Sequence, residues 1–312
     1  MSNNHTIHSL KHHFGWDNSN KPVVEVKSGA IIEVETIDSS GSQLNSQSNI
    51  NDVKNLDFSK VNPVTGPIFI ENAEEGDVVE VELIDFICSG WGWTAIIPGF
   101  GLLADDFKEP DLNLWKYDKN NPIKSIYSTY GKIPLKPFVG TIGLALKEVG
   151  NHTIVPPRHC GGNLDIKDLS KNSKIRFPVQ VKGGLLSLGD THAAQGDGEV
   201  CGTAIESPMK VVIKIKLIKN VKIPSPQFET FAPVSNHIDQ DGYFVTTGIG
   251  PNLMEGAKNS IRSMINLLVQ KLNIPDSKAY MFCSVCADLR ISEVVDMPNW
   301  VVSCYFPKSV FN

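Results

Sequence analysis

Residues 183–206 have the sequence GGLLSLGDTHAAQGDGEVCGTAIE, in which a short apolar run leads directly into side chains that can bind a metal ion. The run predicts a β-strand, and side chains in a strand alternate between the two faces of its sheet. Leu188, Asp190 and His192 therefore lie on one face, which turns from apolar to polar at the end of the strand. A carboxylate and an imidazole converge on one point there.

This pair has two interpretations. A divalent metal in a hydrolase commonly takes histidine nitrogen and carboxylate oxygen and keeps one position open for water, so Asp190 and His192 are candidate ligands. Asp197 and Glu199 favour that interpretation, because clustered acidic groups repel one another unless a positive charge lies among them. The alternative is an Asp–His hydrogen bond that only holds a turn, next to an exposed Gly-Asp-Gly hairpin with solvated charges.

Length, charge and cysteine content narrow the class of protein. The 312 residues suggest about two domains, although one continuous β-rich body is also compatible with that length. A net charge of -5 without any dense run of Lys and Arg argues against a nucleic-acid partner. We find no signal peptide and no apolar stretch of about 18 residues, so we expect a cytoplasmic protein that does not enter a membrane. The six cysteines lie mostly in apolar contexts, which predicts buried, reduced thiols.

The pattern along the chain predicts a mainly β fold, with a β-sandwich (jelly-roll-like) and β-barrel body at residues 1–235. Its clearest strand is 209–217, where apolar residues alternate with lysines. The polar segment 41–60 predicts a long surface loop. After about residue 235 the period changes, which predicts a small α+β portion at 236–312 packed on the body.

Within that portion, apolar residues recur at three- and four-residue steps from Leu253 to Leu272, which predicts an amphipathic helix that ends before Pro275. A second, shorter helix follows, capped by Asp276 or Ser277. Two strands, 289–295 and 300–306, complete the prediction.

Three further features each have a functional and a structural interpretation. Gly161 and Gly162 either let backbone N–H groups approach a ligand as part of an oxyanion hole, or form an ordinary turn. Trp93 and Phe100 lie in glycine-spaced loops, where aromatic rings either line a pocket or cover the end of a sheet. Cys201 is either a nucleophile activated by a nearby base or a small buried residue in a strand, and its apolar context favours burial.

Five motifs together resemble the acetamidase/formamidase family, and the similarity extends from about residue 12 to residue 311. They are NPVTGPI at 62–68, PGFG at 98–101, GGNLD at 161–165, GDTHAAQGDGE at 189–199 and ADLRISEVVD at 287–296. The resemblance implies an enzyme that hydrolyses short-chain amides to a carboxylate and ammonia. It also implies a β-sandwich and barrel fold with a small α+β portion, and a homodimer.

Carried onto this sequence, the resemblance places Asp190, His192 and Glu199 in the site. It places a second group of residues close by, namely Asn163, Asp165, Gln195 and Asp197. It further implies a bound divalent metal, for which zinc is the first expectation and calcium the second.

Our hypothesis from the sequence is amide hydrolysis by a metal-activated water, because a metal lowers the pKa of its bound water from about 16 to about 7. Asp190 and His192 are predicted ligands, and Glu199 is a ligand or the general base. The proton returns to the leaving ammonia from Glu199 or Asp165, and Asn163 stabilises the oxyanion. Predicted substrate-binding residues are Gly161, Gly162, Gln195, Trp93 and Phe100.

Two alternatives to this hypothesis stay open at this point. One is an amidase that uses the Cys201 thiol as nucleophile. The other is a non-catalytic β-sandwich binding module stabilised by calcium. His192 argues against the second alternative, since calcium prefers oxygen ligands.

Overall fold

The structure, a computed structural model, describes residues 5–121, 126–231 and 240–311. The strands are β1 His5–Ile7, β2 His12–His13, β3 Val24–Val26, β4 Ile31–Glu35, β5 Val64–Ile70, β6 Val78–Cys88, β7 Trp91–Ile96, β8 Asp111–Lys116, β9 Ile126–Tyr127, β10 Lys132–Ile133, β11 Phe138–Gly143, β12 Gly161–Asn163, β13 Lys174–Pro178, β14 Leu186–His192, β15 Met209–Ile218, β16 Gln227–Glu229, β17 Tyr243–Gly250, β18 Asp288–Glu293 and β19 Trp300–Pro307. The helices are α1 Ile50–Lys54, α2 Leu253–Leu272 and α3 Asp276–Cys286, with 3-10 turns at Phe58–Lys60 and Lys308–Phe311. The predicted mainly β fold is confirmed.

Two six-stranded sheets form the body. Hydrogen bonding orders the first sheet β1-β4-β15-β6-β13-β16 and the second β12-β11-β14-β5-β2, with β3 also paired to β5. Ile32 and Val211 of the first sheet and Ile68 and Leu188 of the second belong to one buried core, so the sheets pack as a sandwich. Barrel closure requires the two edge strands of a sheet to pair with each other. The described strands form open sheets, so a closed barrel is not part of this body.

The strand predicted at 209–217 is confirmed as β15. It lies between β4 and β6, to which it is antiparallel. Val211 and Ile213 are fully buried on its inner face, whereas Lys214 is exposed on the other. The apolar residues of the alternating sequence therefore lie on the buried face of the sheet, and the lysines lie on its other face.

The strand that carries the motif lies in the middle of the second sheet. β14 pairs with β11 on one side and with β5 on the other, and all seven of its residues are buried. Its carboxyl end at His192 is therefore surrounded by other strands. Polar side chains at that end are enclosed by protein.

The order of the C-terminal elements matches the sequence prediction, but the predicted cap of the second helix is wrong, because the N-cap position of α3 is Pro275 and no side chain caps it. The three-stranded sheet β17-β19-β18 packs against α2, which begins after the capping side chain of Asn252 and ends at Asn273, whose φ is 51°. The predicted boundary between 235 and 236 lies within 232–239, outside the described residues, so the division into two domains stays a prediction.

The segment 41–60 is more ordered than a surface loop and contributes to the core. Asn49 and Asp52 form a capping box at the start of α1. Leu44 and Val53 are buried together with Trp93 in a small apolar cluster. The prediction of a surface loop is therefore wrong for these residues, because a few apolar side chains anchor an otherwise polar segment.

The structure also bears on the state of the cysteines and on membrane-spanning helices. All six cysteines are free and buried, which confirms the prediction of reduced thiols. Within the described residues, none of the helices has both the length and the apolar character that crossing a bilayer requires.

Candidate active site

A buried histidine lies between two carboxylates at the end of β14. The Nε2 atom of His192 is 2.9 Å from Oδ1 of Asp190 and 3.1 Å from Oε2 of Glu206. His192 is fully buried, and both carboxylates are almost fully buried. The predicted convergence of Asp190 and His192 is confirmed, and the sequence reasoning missed Glu206.

Backbone pairing brings Glu206 into the site. Its N–H and C=O groups bond to Trp93 of β7, and it also forms a β-bridge with His192. Oε1 of Glu206 accepts from the N–H of Ala204, and Oε2 accepts from the hydroxyl of Ser39 at 2.7 Å. The signal in the sequence is a lone glutamate after the small and apolar residues 203–205, where a buried charge requires partners.

Two further carboxylates complete the cluster. Ligand atoms of Asp165, Asp190 and His192 lie within 4.8 Å of one another, and so do ligand atoms of His192, Glu199 and Glu206. The charge of Asp165 also raises the pKa of Glu199. Oδ1 of Asp165 is buried and has no hydrogen-bond partner among the described residues. His192 is therefore shared by two groups of potential metal ligands.

Gln195 fixes which nitrogen of His192 carries a proton. Its Nε2 donates to the carbonyl oxygen of Asp165 at 2.7 Å, so its Oε1 is the atom that faces Nδ1 of His192 at 3.0 Å. Nδ1 must donate to that oxygen, so in the neutral imidazole Nε2 is the nitrogen left to present its lone pair on the side of the carboxylates, as binding of a metal requires. Metal-binding histidines typically have such a partner on their second nitrogen.

The electrostatics of the cluster follow from burial and from its excess of carboxylates. Burial and then the charge of Asp190 raise the pKa of Asp165 to about 7. Burial and then Asp165 raise the pKa of Glu199 well above its ordinary value, and burial and then Asp190 raise that of Glu206. Burial opposes the charged form of His192, but Glu206 and Asp190 outweigh it and hold its pKa well above the ordinary value. The site therefore retains protons or requires another positive charge.

The backbone of the cluster is strained. Asp165, Asp190 and Glu199 have φ angles of 48°, 51° and 43°, in the left-handed region that non-glycine residues rarely adopt. Such conformations cost about 1–3 kcal/mol each and concentrate at functional sites. Contacts with the surrounding structure must therefore offset the energetic cost of holding these three residues in left-handed conformations.

Gly140 of β11 provides the space that the cluster occupies. A Cβ atom at this position would lie 2.6 Å from Oδ1 of Asp165 and 2.9 Å from Cε1 of His192. It would also lie 2.8 Å from the backbone oxygen of Asp190. Only glycine leaves the carboxylates and the imidazole room to converge.

A cleft of about 260 Å³ opens onto the carboxylates. Asn163, Asp165, Asp190, Glu199 and Glu206 line it together with a second group of residues. That second group is mostly apolar and comprises Ser39, Ser40, Leu56, Phe58, Val61, Asn62, Trp93, Ile97, Phe100, Val155, Gly202 and Thr203. Of the predicted substrate-binding residues, Trp93 and Phe100 lie in this lining.

Three of the predicted substrate-binding residues lie elsewhere. Gln195 is behind His192, as described above. Gly161 and Gly162 pair with Gly143 and Ile142 of β11, with φ angles of 100° and 108°. A Cβ on Gly161 would lie 2.6 Å from the backbone oxygen of Ile142, so glycine serves the close approach of two strands here.

Asn163, the next residue of β12, is oriented by two neighbours. Its Oδ1 accepts from Nδ2 of Asn62 at 2.8 Å and from the hydroxyl of Thr141 at 2.5 Å. These bonds assign the oxygen of the amide to the protein interior and leave its NH2 group for the cleft that Asn163 lines. The side chain can therefore donate to a substrate carbonyl oxygen.

Asp197 of the motif and Cys201, which follows it, form their contacts with residues outside the cluster. Asp197 forms an ion pair with Lys167 at 3.3 Å, and Lys167 also pairs with Asp288 at the start of β18. The resemblance implied that Asp197 lies close to the site, but its carboxylate pairs with Lys167 and it does not belong to the lining of the cleft. The thiol of Cys201 donates to the carbonyl oxygens of Ala95 and Thr203, and burial raises its pKa, which disfavours a thiolate.

Comparisons with known proteins define the class to which this fold and site belong. The sequence profile of the Acetamidase/Formamidase family matches residues 2–149 and 145–312. The formamidase of Methylophilus methylotrophus is 28% identical, and the match covers 96% of this chain and 89% of that protein. These matches confirm the predicted class, an amidohydrolase of short-chain amides.

Solved structures agree with the sequence matches. A γ-lactamase from Delftia acidovorans superposes with a TM-score of 0.88 at 25% identity, covering 96% of this chain and 89% of that one. An acetamidase from Bacillus halodurans superposes with a TM-score of 0.68 at 29% identity, covering 97% of both chains. The chain belongs to the Acetamidase/Formamidase family, as the motifs indicated.

Proposed function

We propose that this protein hydrolyses short-chain amides to a carboxylate and ammonia at the buried cluster around His192, with the help of a divalent metal ion. The observation that carries the proposal is the combination of one imidazole and four carboxylates at the bottom of a cleft. Asn163 offers a hydrogen-bond donor beside them. Activation of water and stabilisation of an oxyanion are the two requirements of amide hydrolysis.

The residues fit a divalent cation. Oδ1 of Asp165 is a buried carboxylate oxygen to which no described residue donates a hydrogen bond, and a cation would compensate its charge. Nε2 of His192 with oxygens of Asp165 and Asp190, or with those of Glu199 and Glu206, provides the nitrogen and oxygen donors typical of catalytic zinc. Zinc is therefore our first candidate, and an all-oxygen calcium site fits less well because of the imidazole.

When bound, such an ion lowers the pKa of a water ligand and polarises a carbonyl group. The residues of the chain supply the other components. The NH2 group of Asn163 donates to the amide oxygen and stabilises the negative charge that develops on it. Glu199 accepts the proton of the attacking water, and Glu199 or Asp165 returns it to the leaving ammonia. The pKa of Asp165, raised to about 7, suits a group that both accepts and donates a proton near neutral pH, and burial raises the pKa of Glu199 in the same direction.

The test combines metal analysis with an assay of ammonia release from formamide and acetamide. Chelation of the purified protein should remove the metal and abolish turnover, and added zinc should restore both. Full activity in metal-free protein would contradict the metal part of the proposal. Lack of ammonia release from any amide by metal-loaded protein would contradict the reaction itself and favour the calcium-stabilised binding module.

A lactam is a second candidate substrate. The neighbour with the TM-score of 0.88 is described as a γ-lactamase, and a lactam contains the same amide bond within a ring. Ring opening releases an amino acid and no ammonia, so appearance of the amino acid distinguishes this reaction.

We also propose that the protein is a homodimer and lies in the cytoplasm. Analytical sedimentation tests the homodimer, and cell fractionation tests the location.

A further inference from the structure

The cleft separates polar and apolar lining residues by depth. The carboxylates of Asp190 and Glu206 are 4% and 2% exposed, so they form the floor. Phe58, Phe100 and Val155 are 56%, 40% and 39% exposed, so they form the rim. An amide that reaches the floor with its carbonyl group directs its acyl substituent towards this apolar rim.

The volume of the cleft exceeds what formamide or acetamide fills. The cleft volume of about 260 Å³ is several times the roughly 30 Å³ that one water molecule occupies in the liquid. Acetamide has a single methyl group beyond its amide. Most of the apolar wall would remain in contact with water above such a substrate, which gains no binding energy from it.

The outer wall is held in a defined position. Asp57 caps the 3-10 turn that begins at Phe58, because its carboxylate accepts from the backbone N–H and the hydroxyl of Ser59. The side chain of Gln43 bonds to the backbone N–H and C=O of Asp57. The N–H of Asn62 then donates to the carbonyl oxygen of Ser39, beside Glu206. The backbone on both sides of Phe58 is therefore tied, through Ser39, to the cluster around His192.

Trp93, another lining residue, is tied to the same segment. Nε1 of Trp93 donates to Oδ1 of Asp38 at 3.0 Å. The other carboxylate oxygen of Asp38 accepts from the N–H of Ser42, and Oδ1 also bonds to Ser40. One buried carboxylate thus positions the aromatic side of the cleft and the start of the segment that carries Phe58.

From this arrangement we propose that the site is selective for primary amides whose acyl group is apolar and larger than acetyl, either branched aliphatic or aromatic, with Phe58 as a specificity-determining residue. The inference rests on the proposed amide hydrolysis and adds the class of acyl group. Its physical basis is that water is displaced from the apolar rim only by an apolar substituent. Each methylene group that the rim covers raises kcat/KM about fourfold, the equivalent of about 0.8 kcal/mol.

The first test is a series of primary amides assayed by ammonia release: formamide, acetamide, propionamide, isobutyramide, isovaleramide and phenylacetamide. We expect kcat/KM to rise along the series and to be at least tenfold higher for isovaleramide or phenylacetamide than for acetamide. A fall in kcat/KM beyond acetamide would overturn the inference while leaving amide hydrolysis intact. Lack of ammonia from every amide would overturn both.

The second test is Phe58→Ala, which removes an exposed ring and leaves Asp57 to cap the turn. We expect the ratio of kcat/KM for phenylacetamide to that for acetamide to fall about fivefold or more. Phe228→Ala is the matched control, because Phe228 is 43% exposed on β16 and absent from the lining of the cleft. An unchanged ratio in Phe58→Ala, or an equal fall in the control, would overturn the role of Phe58.

Discussion

Nε2 of His192 lies 3.1 Å from Oε2 of Glu206, although the two residues are separated by an irregular segment of the chain. The two residues form an antiparallel β-bridge, so backbone pairing sets this distance and the conformation of the intervening segment does not. Ser39 donates a hydrogen bond to Oε2 of Glu206 and the N–H of Ala204 donates one to Oε1, so both carboxylate oxygens are held in place. The pair joins the end of β14 to the wall of the cleft.

The first prediction is that Glu206→Gln, which keeps the shape and removes the negative charge, lowers metal affinity and kcat each by at least tenfold. A cation loses a charged oxygen in this variant, and His192 loses one of the two charges that raise its pKa. Metal titration and ammonia release measure the two effects. Glu229→Gln, at an exposed position on β16, is the control and should match the unchanged protein.

The second prediction concerns Gly140→Ala. The added methyl group meets Oδ1 of Asp165 at 2.6 Å, so we expect the cluster to be displaced and turnover to fall at least a hundredfold. Overpacking also costs about 1–3 kcal/mol of stability. Thermal unfolding separates this cost from the loss of activity.

Gly256→Ala is the matched control for overpacking, because its Cβ would lie 3.1 Å from the side chain of Val302, away from the cleft. It should change the unfolding temperature and leave turnover in place. If Gly140→Ala retained full activity, the space at this glycine would have no role in the site.

The third prediction concerns the ion pair between Asp106 and Arg262, which joins the body to α2 through two hydrogen bonds of 2.5 and 2.8 Å. Hydrogen bonds from Arg262 lower the pKa of Asp106. A lowered carboxyl pKa stabilises the folded protein above the unfolded value of about 3.9, and this contribution disappears as the pH falls through the folded value. Both side chains are about one third exposed, so solvent screening limits the contribution to about 0.2–1 kcal/mol.

Asp106→Asn should therefore be less stable than the unchanged protein at pH 7, with a difference that shrinks below pH ~4. Urea unfolding at both pH values measures it, and Asp105→Asn is the neighbouring control. A difference that is the same at both pH values would show that the ionised carboxylate is not the source.

The fourth prediction is that Cys201→Ala retains amide hydrolysis that a chelator abolishes. The thiol is fully buried against carbonyl oxygens, and burial raises its pKa, so it is not available as a thiolate. Ammonia release with and without chelator is the measurement. Complete loss of turnover in a variant that still binds metal and folds would instead support the thiol mechanism.

Elements with a regular pattern could be predicted from the sequence. β15 and α2 have clear periods of two and 3.6 residues, because each has one face in the core and one in solvent. Asp190 and His192 could be placed together because they belong to one strand. The left-handed φ of Asp190, 51°, departs from regular strand geometry and could not be predicted in the same way.

Residues brought together by irregular backbone could not be predicted in this way. Asp165 and Glu199 reach the cluster through left-handed conformations, which sequence spacing does not encode. Asp197 lies two residues before Glu199 in sequence but pairs with Lys167, a contact that depends on the tertiary fold. Phe58 lies in a segment whose polar composition predicts a loop, although its few apolar residues build the cleft.

The most direct measurement of the central claim is the metal content of purified His192→Ala together with its ammonia release from acetamide, compared with the exposed control His8→Ala. We predict that His192→Ala folds, loses the bound divalent metal and releases no ammonia, whereas His8→Ala retains both properties. A folded His192→Ala protein that still holds its metal and hydrolyses acetamide would contradict the account.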